Sequence, residues 1–180
     1  MDKPVELVPL VCLQCSTPIA ADVEEVAWVC PQCGKGMLLD LQKGLLPLQV
    51  NYASTISPDA AGKPFWVAMG RVTLQRETFG FFGDQDSEAA QFWGDLRQFF
   101  IPAFACTLEE MIEYGTRLLR QPPELQPGSP ARFEAVTLPS EDIHLFAEFI
   151  VMAIEAERSD KARLIDFNVQ LHDPVLWILP

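Results

Sequence analysis

A chain of 180 residues has room for one domain of ordinary size plus a small module. Hydrophobic residues make up 49% of it and the mean hydropathy is +0.12, which excludes disorder over most of the length. A net charge of −12 leaves few cations for phosphate contacts and disfavours nucleic acid as a partner.

The opening Met1-Asp2-Lys3-Pro4-Val5-Glu6 has no basic stretch leading into an apolar one, so no secretory signal is expected. The longest apolar run, Ile143–Ile154, is broken by His144 and Glu148 and is too short to span a bilayer. With cysteines in metal-type spacing, these features point to a reducing cytoplasm.

The strongest motif lies in the first forty residues. Cys12 and Cys15 form one C-x-x-C pair, and Cys30 and Cys33 a second, with fourteen residues between the pairs. Such spacing brings four thiolates to one point with tetrahedral reach, the arrangement of a structural zinc site. Four protein ligands leave no open position for water, so the metal is expected to hold structure and not to catalyse. Iron is the alternative, since Cys30-Pro31-Gln32-Cys33-Gly34 resembles half of a rubredoxin site. Against iron, Ser16 stands after the first pair where a glycine is usual, and the intervening loop is short. Thiol–disulfide exchange is disfavoured, because neither pair opens a helix in a βαβ setting. Around the cysteines, short strands are expected near 19–21, 26–29 and 37–41. The picture is a zinc ribbon over 1–43, its folding supplied largely by the metal. With the site loaded, it carries about two further negative charges. Few lysines and arginines surround the cysteines, so the ribbon's own surface is acidic.

Lys43-Gly44 is expected to be the hinge to a second domain, 44–180, beginning with a strand at Leu45. A Ser/Pro/Gly-rich loop follows over 51–63, and then the best strand of the chain, 64–75. Residues 79–104 hold eight aromatic side chains: Phe79, Phe81, Phe82, Phe92, Trp93, Phe99, Phe100 and Phe104. We read a hairpin or irregular excursion over 79–95 and a strand over 96–104. The run from Asp84 to Asp95 imitates a calcium loop, but Ala89 replaces the required glycine, and a solvated acidic loop is favoured. If this block exceeds what one sheet can bury, the surplus rings make an apolar patch suited to a protein partner or to self-association.

Thr107-Leu108-Glu109-Glu110 is a capping box, with Cys106 and Met111 in the staple positions, opening a helix that stops at Gln121-Pro122. A linker runs to Pro130, and a strand is expected over 133–138. Ser140 is expected to cap a largely buried helix to about Arg158, and strands to follow at 164–171 and 175–179. This order indicates an α+β fold: a zinc ribbon, then a mainly antiparallel or mixed sheet packed on two helices.

Other candidates are weaker. His144 and Glu148 are either an acid–base pair or an ordinary i,i+4 contact, the commoner case. His172-Asp173 reads as a turn, and Cys106 as a packing residue rather than a nucleophile. No serine elbow, phosphate loop or dinucleotide fingerprint occurs.

The ribbon, together with Pro64-Phe65-Trp66, Ile101-Pro102-Ala103-Phe104 and Val136-Thr137-Leu138-Pro139, resembles a group of bacterial zinc-ribbon proteins with no established activity. The resemblance implies the two-part organisation and no catalytic residue. The expectation is a non-enzymatic zinc protein acting as an interaction or assembly module. A nucleic-acid-associated ribbon of the transcription or translation type is the alternative, and an enzyme built on the second domain is less favoured.

Overall fold

The computed structural model describes residues 9–78, 84–158 and 162–180. Its longest strand opens with an unbroken apolar run, residues 64–70, and continues with polar and apolar residues in alternation. In β5 (Lys63–Thr78), Trp66, Ala68 and Val72 bury into one core cluster while Phe65 and Val67 bury into a second. A strand covered on both faces loses the polar alternation of a half-exposed one. The buried Trp66 indole keeps a partner, donating from Nε1 to the Leu138 carbonyl at 2.8 Å.

Around β5 the body is a mixed sheet. On one side of β5 lies β6 (Arg97–Pro102), antiparallel. On the other side β7 (Ala162–Leu171) pairs with the second half of β5, and β8 (Val175–Leu179) with the first half. These two strands run nearly end to end, and His172 at their junction donates its N–H to the Met69 carbonyl at 2.8 Å. The short β4 (Val50–Tyr52) adds in parallel to β8. In β7, Asp166, Asn168 and Gln170 face out and Val169 is buried, as the alternation predicts.

Helix α2 (Leu108–Arg120) begins with the expected capping box: Thr107 accepts from the Glu110 N–H, and Glu110 accepts from the Thr107 N–H. Met111 is buried and Cys106 packs against the same cluster, as the staple requires. Helix α3 (Ile143–Ala156) lies against α2, and the two approach closely at Gly115. A Cβ placed there would stand 2.3 Å from Ile150 Cδ1. One helical turn, Ser140–Asp142, precedes α3 without a side-chain cap, so Ser140 is not its N-cap. The helix is less buried than expected, since Leu145 and Met152 are exposed.

Two further expectations are corrected. Residues 84–94 form a helix, α1, and not an excursion or acidic loop. It is anchored by Ala89 and Trp93, both buried. Residues 133–138 form isolated bridges at Phe133 and Val136 but no strand. The aromatic block is mainly core: Trp93, Phe99, Phe100 and Phe104 are buried, and Phe92 packs against the core. Phe79, Phe81 and Phe82 lie outside the described residues. No described helix is long and apolar enough to cross a membrane.

The N-terminal part is a separate antiparallel sheet, β1 (Ala27–Val29), β2 (Gly36–Asp40) and β3 (Gly44–Leu48). The segment 19–21 is not a strand; only Val11 and Pro18 bridge there. Lys43-Gly44 belongs to the β2–β3 hairpin turn, where Asp40 Oδ1 accepts from the Gln42 and Lys43 N–H groups at 2.8 Å each. The strand expected to open the second domain is therefore the third strand of the ribbon sheet. Only Gln49 separates it from β4. The ribbon is also tied sideways to the body, the Val26 N–H donating to the Val136 carbonyl at 2.8 Å. Ala27 is part of the main core, with Leu38 and Leu48 packed against it.

Candidate metal centre

The two C-x-x-C segments fold into turns with one backbone pattern. In the first, the Cys12 N–H donates to the Thr17 carbonyl at 2.8 Å and the Ser16 N–H to the Cys12 carbonyl at 2.9 Å. In the second, Cys30 donates to Lys35 at 2.8 Å and Gly34 to Cys30 at 2.9 Å. Each turn thus buries its first cysteine, Cys12 at 2% and Cys30 at 1% exposure, and leaves its second, Cys15 or Cys33, at the surface.

The pairing of the two turns brings all four Sγ atoms within 4.8 Å of one another. Cys12 and Cys33 are 3.5 Å apart and Cys15 and Cys30 3.6 Å, both across the two turns. A tetrahedral site with zinc–sulfur bonds of about 2.3 Å has sulfur–sulfur edges of about 3.8 Å. A disulfide bond is about 2.05 Å long. The separations fit metal ligation, and all four cysteines are free thiols.

The electrostatics of the four thiols call for a cation. Cys15 is held down to about 6, first by the Thr17 hydroxyl 3.2 Å away and then by the Thr17 backbone. Cys12 is also lowered, first by the Cys15 N–H. At Cys33 the Lys35 N–H favours the thiolate, but lost solvation and the three neighbouring sulfurs outweigh it and push the thiol up to about 12. Four thiolates cannot share one point without a positive charge between them. A divalent ion would supply it and release the remaining protons.

The ribbon's own core is small, so a bound ion would add to its stability. Its buried members are Cys12, Trp28, Cys30 and Met37, two of them candidate ligands. Trp28 is further fixed by its Nε1 donating to Glu25 Oε2 at 2.9 Å.

The remaining candidates are not brought to this point. His144 Nε2 donates to the Val169 carbonyl at 2.7 Å, tying α3 to β7, and its Nδ1 lies 3.5 Å from Glu148. That is the ordinary i,i+4 contact with a backbone anchor added. His172 and Asp173 are exposed at the β7–β8 junction. Burial raises the Cys106 thiol, which disfavours a thiolate nucleophile there.

Two polar arrangements escaped the sequence reading. Glu155, 2% exposed, accepts from Trp93 Nε1 and from Arg158 Nε, both at 2.8 Å. Lys63 Nζ donates to the Tyr114 hydroxyl at 2.7 Å. Trp93 and Glu155, like Lys63 and Tyr114, stand dozens of positions apart, so no local spacing announces either pair.

No family model matches the chain, and no curated protein or solved structure is similar to it. Of the expected resemblance to bacterial zinc-ribbon proteins, the structure supports a four-cysteine cluster compatible with a zinc-ribbon-like site.

Proposed function

We propose that this is a zinc protein whose metal is structural and whose work is binding to another protein. The observation that carries this reading is the closure of the site: four sulfurs converge within 4.8 Å, leaving no ligand position for a reacting water. The thiolate-only donor set favours zinc or iron over hard cations, and zinc, which has no redox chemistry, would serve as support alone.

The partner surface we assign to the ribbon, because the described part of the aromatic block is core. The ribbon exposes Leu13, between the first two ligands, at 53%, and Leu41, at the β2–β3 turn, at 85%. Val11 and Val23 are exposed on the same module. Apolar side chains presented by a metal-clamped scaffold lose little conformational entropy on docking, which favours an interface.

The test is a native pull-down with the wild-type chain beside a Leu13→Glu, Leu41→Glu double variant. A specific partner, or self-association by light scattering, that the double variant loses supports the reading. A strictly monomeric wild type that recovers the same proteins as the variant removes it.

A further inference from the structure

A cavity of about 280 Å³ opens on the body, away from the cysteines and above the second core cluster. Five stretches of chain meet there. Ala53, Phe65 and Leu179 make its floor and the α2 residues Tyr114 and Leu118 one wall. The opposite wall comes from the proline-rich segment after α2, through Pro123 and Gln126. That segment reads as a plain linker, yet it is pinned: the Ser54 N–H donates to the Gln126 carbonyl at 2.8 Å and the Gly128 N–H to the Tyr52 carbonyl at 2.6 Å. Prolines with fixed φ and two backbone anchors keep the wall in place before anything binds, so little ordering cost remains.

The polar groups at the rim are unequal in sign and engagement. Glu124 already accepts from Gln126 Nε2 at 2.9 Å. Arg117 has no ion pair among the described residues; its guanidinium lies over the Tyr114 ring, 5.0 Å from the centroid. A second cation, Lys63, meets the same ring at 5.0 Å while donating to its hydroxyl. Among the lining residues Arg117 is the one basic side chain and Glu124 the one acidic one, while Lys63 lies beyond the Tyr114 ring, near Glu110 and Glu134. The hydroxyls of Ser54 and Thr55 add donors on the facing rim.

We propose that this cavity binds a small amphipathic anion, with an apolar body against Phe65, Leu118 and Leu179 and a carboxylate on Arg117. The volume lies just below the roughly 300–1,000 Å³ of ligand pockets, which suits a single ring or short chain and not a nucleotide. A planar guanidinium stacked on a ring is already oriented for bidentate contact with a carboxylate.

The test is a titration of the full chain with 4-phenylbutyrate, followed by amide NMR shifts, beside the matched 4-phenylbutylamine and 4-phenylbutanol. Saturable shifts at Ser54, Thr55, Leu118 and Gln126 are expected, with the carboxylate binding more tightly than the amine. Arg117→Gln, at an exposed position whose fold the same spectrum checks, should weaken the carboxylate roughly tenfold and leave the alcohol unchanged. The proposal is overturned if the carboxylate gives no saturable shifts, if the shifts fall elsewhere, if the amine binds as well, or if Arg117→Gln changes nothing.

Discussion

Ser16 and Gly34 hold the same place in the two cysteine turns: each follows a second cysteine, each has positive φ, 57° and 71°, and each donates its N–H to the preceding first cysteine at 2.9 Å. A serine in the left-handed region performs the turn that glycine performs opposite. The missing glycine, an argument against iron when read from sequence, therefore marks no difference in geometry.

Left-handed φ costs a residue with a Cβ on the order of 1 kcal/mol. Ser16→Gly should leave the ribbon at least as stable, while Gly34→Ala should cost about 1 kcal/mol. Thermal melts of the two variants, read side by side, check the asymmetry.

The α2–α3 crossing depends on the absence of a side chain at Gly115. Gly115→Ala should destabilise by about 1–3 kcal/mol, because the added methyl meets Ile150 Cδ1. Ile150→Val deletes that atom. In denaturant titrations the double variant should recover part of the loss, a favourable coupling between neighbours. Simple additivity would place the cost elsewhere.

Helix α1 is joined to α3 by the Trp93 indole on the buried Glu155 carboxylate. Trp93→Phe keeps most of the ring and removes the donor. It should cost about 1.5–3 kcal/mol, the range for hydrogen bonds to charged groups. An equilibrium stability unchanged within error would show that the contact is incidental.

The α2 cap gives a pH signature. The Thr107 N–H, and then its hydroxyl, hold the Glu110 carboxyl below its ordinary value. Its contribution is thus present above the unfolded carboxyl value of about 4.3 and is lost as pH falls through the lower folded one. Thr107→Ala should cost about 1 kcal/mol at neutral pH. The difference between wild type and variant should shrink in acid, which urea midpoints across pH can follow.

What the sequence reveals divides by range. The C-x-x-C pairs, the Thr107 capping box and the period-two β7 are local patterns, and each is found where its spacing places it. Helix α1 is hidden because acids and aromatics blur its period, and the partner of its buried Trp93 is Glu155, far along the chain. The 44–48 segment shows only that it is a strand. Its pairing with β2 rather than with the body is a tertiary choice, set by the hairpin turn at Asp40. The cavity is likewise silent in sequence, since its lining comes from five separate stretches.

Metal content measured with pH is the most direct test of the zinc centre. Chain purified without added metal should carry about one zinc, and Cys12→Ser should lose it. Since the metal-free site keeps the Cys33 proton up to about pH 12, binding must displace protons. Zinc affinity should therefore fall as the pH is lowered, by roughly tenfold per unit for each proton displaced. A chain that is metal-free as purified, takes up no zinc at neutral pH and keeps its ribbon strands folded would contradict the zinc centre outright.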